Sequence, residues 1–98
     1  MFRVVYEWRV PIEKLSEFQN VWRSATDSIH HSVDGALGNF MIRSSDSPEK
    51  VLTIAKWRSR EDWELFWGNH NPEKMQKMCE IAERISVEAF FEIEDRTR

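Results

Sequence analysis

The stretch from Asn39 to Trp63, NFMIRSSDSPEKVLTIAKWRSREDW, decides how this chain is read. Two segments of strand composition, Asn39–Ser44 and Lys50–Trp57, flank Ser45-Asp46-Ser47-Pro48-Glu49. Ser, Asp and Pro form turns, and a link this short joins antiparallel neighbours, because a parallel crossover needs about a dozen residues or more. A hairpin is therefore predicted. Behind it, Ser59 stands where an N-cap belongs, with Asp62 three residues on as a weak capping box. Trp63, Phe66 and Trp67 then fall on one side of the helix that follows.

Toward the N-terminus, Gly35 offers a left-handed exit from a helix that Pro11 opens. Its apolar residues, Ile12, Leu15, Phe18, Trp22, Ala25 and Ile29, recur at spacings of three and four. Ahead of it, Val4, Tyr6, Trp8 and Val10 alternate with Arg3, Glu7 and Arg9, which predicts a strand over Phe2–Val10. Toward the C-terminus a break is expected from Gly68 to Asn71. Pro72 then opens a further helical stripe of Met75, Met78, Cys79, Ala82 and Ile85. Val87, Ala89, Phe91 and Ile93 carry the period of a last strand over Ser86–Glu94, and Asp95–Arg98 is expected to fray. The order strand, helix, strand, strand, helix, strand is α+β and ferredoxin-like, βαββαβ: a four-stranded antiparallel sheet with its helices on one face. One domain over residues 1–98 is expected. Val5, Leu52, Ile54 and Phe90 leave the second face too apolar for a sheet open to water, so a homodimer through the sheet face is expected.

The charge balance argues about partners. Fourteen basic and seventeen acidic side chains give a net charge of −3 with no Lys/Arg cluster, which disfavours nucleic acid and anionic membranes. Arg3, Glu7 and Arg9 break any leader-like apolar run, and no stretch approaches the ~20 apolar residues of a membrane helix. The one cysteine, Cys79, has no intrachain partner for a disulfide; it is read as a packed, inert thiol in a cytoplasmic protein. HExxH, CxxC, GxGxxG and GxxxxGK[ST] patterns are missing, and His30-His31 is an adjacent pair on different sides of a helix. No metal, nucleotide or flavin is expected.

Trp63, Phe66, Trp67 and His70, spaced at zero, three, four and seven, share one helical side if the helix survives Gly68. Their rings suit a small aromatic ligand by offset stacking, and an imidazole can take or give a proton near neutral pH. Trp8 joins them if its face meets the helices, and Tyr6, Arg43 or Asn39 can hold an oxyanion. The bland alternative reads Trp63, Phe66 and Trp67 as core, His70 as a polar loop residue and Trp8 as a structural indole.

These residues together resemble the antibiotic biosynthesis monooxygenase (ABM) domain of the dimeric α+β barrel superfamily. The similarity spans nearly the whole chain. It rests on the opening strand and Pro11 helix, on Asp34-Gly35-Ala36-Leu37-Gly38, and above all on Trp57-Arg58-Ser59-Arg60-Glu61-Asp62-Trp63. In the family a strand commonly ends in Trp, followed by a basic or polar residue, Ser, and an acidic, aromatic helix start. The stretch from His70 to Gln76 is similar to the family's His-bearing connection. None of these is a catalytic signature. The resemblance implies paired subunits with a ligand cavity between sheet and helices in each, in a family of cofactor-independent oxygenases, haem-degrading enzymes and isomerases. Haem degradation is disfavoured: Trp8 stands where that branch is expected to carry Asn, and Gln76 and Lys77 occupy the positions ten residues after Phe66 and Trp67. The expectation is a cofactor-independent monooxygenase of a phenolic or quinol-like metabolite, with His70 as acid/base and Tyr6, Trp8, Arg43, Trp63, Phe66 and Trp67 around the substrate. The alternatives are an isomerase, or a non-catalytic ligand-binding or structural homodimer.

Overall fold

Alternation along the first segment becomes strand β1 (Phe2–Arg9), in which Phe2, Val4, Tyr6 and Trp8 are buried and Arg3, Val5 and Glu7 are half-buried. The computed structural model describes residues 1–69 and 72–98. A 3-10 turn at Ile12–Lys14 leads into α1 (Leu15–Ser32), followed by β2 (Ala36–Arg43), β3 (Lys50–Trp57), α2 (Arg60–Asn69), α3 (Pro72–Ile81) and β4 (Glu83–Phe91). All strand pairs are antiparallel and the order is β2-β3-β1-β4, the ferredoxin-like arrangement expected from the element order.

Local chemistry explains the joints. In the β2–β3 hairpin the Ser44 hydroxyl accepts from the N–H groups of Asp46 (3.2 Å) and Ser47 (3.0 Å). Half of a capping box forms at α2: Asp62 N–H donates to Ser59 Oγ (3.2 Å), while Asp62 Oδ2 accepts from the Ser59 hydroxyl (3.0 Å). Arg58 clamps the same carboxylate at 2.8 Å and reaches Asp34 at 3.1 Å; its hydrogen bond holds the Asp62 carboxyl below the usual carboxylate range. Gly35 has φ +86° and lies against the Asp62 side chain, so a Cβ there would be both strained and obstructed.

The helices cover one face of the sheet, where Val4, Trp8, Val51 and Thr53 are fully buried with Phe18 of α1. On the other face Val5, Leu52 and Ile54 are half-buried, while Phe40, Ile42 and Phe90 remain 47%, 46% and 43% exposed. No helix among the described residues is long and apolar enough to cross a membrane.

Several expectations are corrected. Cys79 is exposed, because Met75, Met78 and Ala82 take the inner side of α3 and its continuation. The helical stripe stops there: Ile85 belongs to β4, which starts at Glu83, and Ile93 lies past the strand's end, 99% exposed. Strand β2 starts at Ala36, three residues before Asn39. The tail is anchored at Asp95, which pairs with Arg3 at 3.3 Å and holds Thr97 N–H at 2.9 Å, while Arg3 also binds Glu92 at 2.8 Å.

Candidate functional site

Two β-bulges, one on each edge strand, shape the helix-facing side of the sheet. Between Ala36 and Gly38 the register with β3 slips by one residue, with Gly38 at φ +149°, so Asn39 instead of Gly38 stands opposite Ala55. Between Glu7 and Trp8 the register with β4 slips likewise, so Arg84 instead of Ile85 stands opposite Trp8. Each slip turns one polar side chain toward the helices, flanking Tyr6 on the central strand.

Under α1 and α3 lies a hollow walled by Tyr6, Asn39, Thr53 and Trp57 from the sheet, Trp22, Ile29 and His30 from α1, and Phe66, Met75 and Met78 from the other helices. It holds about 530 Å³ of space between atoms, counted to its open mouth, of which about 50 Å³ admits the centre of a water molecule. That is room for a few water molecules, and a ring can enter only if the flexible side chains of Met75 and Met78 yield. Trp22 Nε1, Trp57 Nε1 and Asn39 Oδ1 are buried without a hydrogen-bond partner among the described residues.

Tyr6 connects this hollow to a second aromatic group. Its hydroxyl accepts from Trp63 Nε1 at 3.2 Å and its ring lies 5.9 Å from that of Trp67. Trp63 and Trp67 stack at 5.8 Å and 22°, Phe2 abuts Trp63 at 5.9 Å, and the Arg84 guanidinium sits 5.1 Å over Trp67. Burial pushes the Tyr6 phenol up to about 12, against the smaller opposing pulls of the Trp63 hydrogen bond and the Arg84 charge. At neutral pH Tyr6 is therefore a neutral donor and not a base. Because Tyr6 is the only tyrosine, tyrosinate absorbance reads it alone: a midpoint near 12 is expected in the folded protein, and one near 10 would contradict its burial. The linkage follows in sign. The unfolded phenol ionises from its ordinary value of 10 while the folded one stays protonated, so stability is full below pH ~10 and falls between about 10 and 12, by ~3 kcal/mol in all.

The sequence-predicted residues separate. Tyr6 and Phe66 wall the hollow, whereas Trp63 and Trp67 stand off it in the outer stack. Trp8 is fully buried in the core, donating to Thr53 Oγ1 at 3.1 Å and meeting Phe18 edge-on at 5.2 Å. Arg43 is exposed at the end of β2, away from the hollow. His70 lies outside the described residues. Trp22, Trp57, His30 and Arg84 were not singled out from the sequence as site residues. The available signal was that an indole on a core-facing position brings an N–H that needs a partner. Among the described residues no group of His, Cys, Asp and Glu is placed to hold a metal ion.

Sheet, helices and hollow define a ferredoxin-like α+β domain with a small, mostly apolar hollow between its layers. The chain belongs to the antibiotic biosynthesis monooxygenase family, whose sequence profile it matches over residues 1–77. The curated proteins contain no significant match to it. Among solved structures it is similar to a variant of SnoaB, a cofactor-independent oxygenase from Streptomyces nogalater, with TM-score 0.76 and 13% identity over 99% of this chain and 97% of that one. It is also similar to a conserved protein from Methanosarcina mazei Go1, with TM-score 0.73 and 19% identity over 91% and 89% of the two chains. Rv0793 from Mycobacterium tuberculosis matches with TM-score 0.73 and 14% identity over 98% of each. At these identities the likeness to solved structures concerns the fold.

Proposed function

We propose that this chain is a cofactor-independent monooxygenase of a phenolic or quinol-like metabolite, acting as one domain in the slot beside Tyr6. The observation that carries the reading is a buried phenol at the wall of a mostly apolar hollow. Such chemistry needs a substrate that forms an electron-rich anion. Where an activated CH2 is the site, loss of a proton gives the anion, O2 adds as a hydroperoxide, and loss of water leaves a carbonyl. One oxygen atom ends in product and one in water, with no external reductant. The protein's part is to exclude water, hold the ring, stabilise the oxyanion and move a proton. Tyr6 is the donor to the oxyanion. The base is a histidine: His70 holds that role here, and His30 on the cavity wall is the alternative. His70→Ala should slow turnover by about 10²-fold or more while His30→Ala does not; the reverse pattern moves the role to His30. Oxygen uptake with a panel of one- to three-ring phenols and quinols tests the reaction. Ligand-dependent quenching of the five tryptophans without oxygen uptake would instead indicate a binding protein or an isomerase.

The proposal includes a homodimer through the open sheet face, supported by the apolar set of Phe40, Ile42, Phe90, Val5, Leu52 and Ile54 there. Light scattering should give twice the chain mass at micromolar concentration, and Phe40→Asp should shift it to monomer. A monomeric parent protein would refute the pairing. A cytoplasmic location goes with the lone thiol and the lack of a membrane-length apolar helix among the described residues.

A further inference from the structure

Asp34 and Gly35 make the turn between α1 and β2. An aspartate followed by glycine is the pair most open to ring closure between side chain and backbone, because the glycine brings no side chain to hinder attack by its nitrogen. The fold leaves that nitrogen free. No hydrogen bond engages the Gly35 N–H among the described residues, whereas the N–H after Asp46, that of Ser47, donates to Ser44 Oγ at 3.0 Å, and the N–H after Asp62, that of Trp63, donates to Ser59 O at 3.4 Å. The Asp34 side chain is 89% exposed, so water reaches it. One residue restrains the pair from both sides: Arg58 Nη2 holds Asp34 Oδ2 at 3.1 Å, and the Arg58 backbone N–H donates to Gly35 O at 2.8 Å.

We propose that Asp34-Gly35 is a self-modification site, at which the folded chain converts aspartate to isoaspartate through a succinimide, and that Arg58 is the latch on the reaction. Starting from the protonated carboxyl, the Gly35 nitrogen attacks Cγ of Asp34, the Cγ–OH bond breaks, and the hydroxyl and the amide hydrogen leave together as water. Water then opens the ring at either carbonyl. Opening at the original main-chain carbonyl leaves Gly35 linked through Cγ, which is the isoaspartyl form. Nothing is oxidised or reduced, and water is the only co-reactant. The product carries Cβ of Asp34 in the main chain, at a joint with no room to spare: Gly35 has φ +86° and lies so close to the Asp62 side chain that a Cβ of its own would collide with it. The added carbon therefore parts Arg58 from its partners on both residues and disturbs Asp62 at the start of α2. The site lies outside the hollow, and the proposed reaction does not use it.

The tryptic peptide Ser24–Arg43 holds Asp34 and, as an internal control, Asp27 within α1. After prolonged incubation of the whole chain at neutral pH, digestion and electron-transfer fragmentation read isoaspartate at each of the two positions. The synthetic peptide Ser24–Arg43 should convert fastest at Asp34. The folded chain should convert about tenfold more slowly, because its backbone is no longer free to bring nitrogen and Cγ together. Arg58→Gln should then convert about three- to fivefold faster than the parent, which is what an exposed ion pair is worth. Sodium chloride at about 1 M, which shortens the screening length to ~3 Å, should speed the parent in the same direction with no substitution, so a variant that failed to fold would not remove the test. Isoaspartate at Asp34 no higher than at Asp27, in the parent with and without salt, would overturn the site. A parent that converts as fast as the free peptide, or at a rate that neither Arg58→Gln nor salt changes, would overturn the latch.

Discussion

Tyr6→Phe is expected to lower kcat for oxygen insertion by about 10²–10³ while changing ring binding only a few-fold. The reason is that the hydroxyl's contribution grows as negative charge develops on substrate oxygen, whereas the ring's contact is the same in ground and transition state. Tyr6 can act this way because it is buried, sits on the cavity wall, and has its oxygen engaged by Trp63 Nε1 at 3.2 Å, which leaves its own proton to give. The substitution strands the Trp63 N–H, so a loss of about 1 kcal/mol of stability should accompany it. It should also abolish the fall in stability between pH ~10 and ~12, since the titrating group is gone. That second effect separates the roles: if the alkaline fall vanished but kcat stayed at the parent value, Tyr6 would be a structural phenol and the oxyanion assignment would be wrong.

Trp8→Ala is expected to cost about 3–5 kcal/mol, a large part of the ~5–15 kcal/mol that holds a domain of this size together. Trp8 is among the largest fully buried side chains, meets Phe18 edge-on, and supplies the hydrogen for Thr53 Oγ1. Removing it opens a cavity and leaves that hydroxyl short of its donor. Trp8→Phe keeps most of the packing and loses only the hydrogen bond, so about 1–2 kcal/mol should go. Denaturant titration of both variants checks the pair. Stability near the parent value for Trp8→Ala, together with weakened ring binding, would mean that Trp8 is a ligand wall after all.

These two residues also show what a linear reading can and cannot recover. Tyr6 and Trp8 lie two apart on one strand and look alike as core-facing aromatics with a polar handle. What separates them is the partner that each finds across the sheet and under the helices, Thr53 and Phe18 for Trp8, Trp63 and open space for Tyr6, and partners at that distance leave no trace in local pattern. The element order, the hairpin and the Ser59–Asp62 cap were legible because they depend on nearest neighbours. Arg84 was harder for a definite reason. A bulge adds one residue to a strand, so an alternation counted through it assigns the wrong face from that point on. Helical spacing places Trp63, Phe66 and Trp67 together, yet Phe66 turns toward Trp57 while the two indoles pair with each other.

The central claim, that a small ring enters beside Tyr6 under α1 and α3, is tested most directly by the five indole N–H signals in a proton–nitrogen correlation spectrum. Titration with 2-naphthol, a two-ring phenol, should move the Trp22 and Trp57 signals furthest, leave that of Trp8 in place behind its bond to Thr53, and shift Trp63 only through Tyr6. Movement confined to Trp63 and Trp67, or to none of the five, would contradict it.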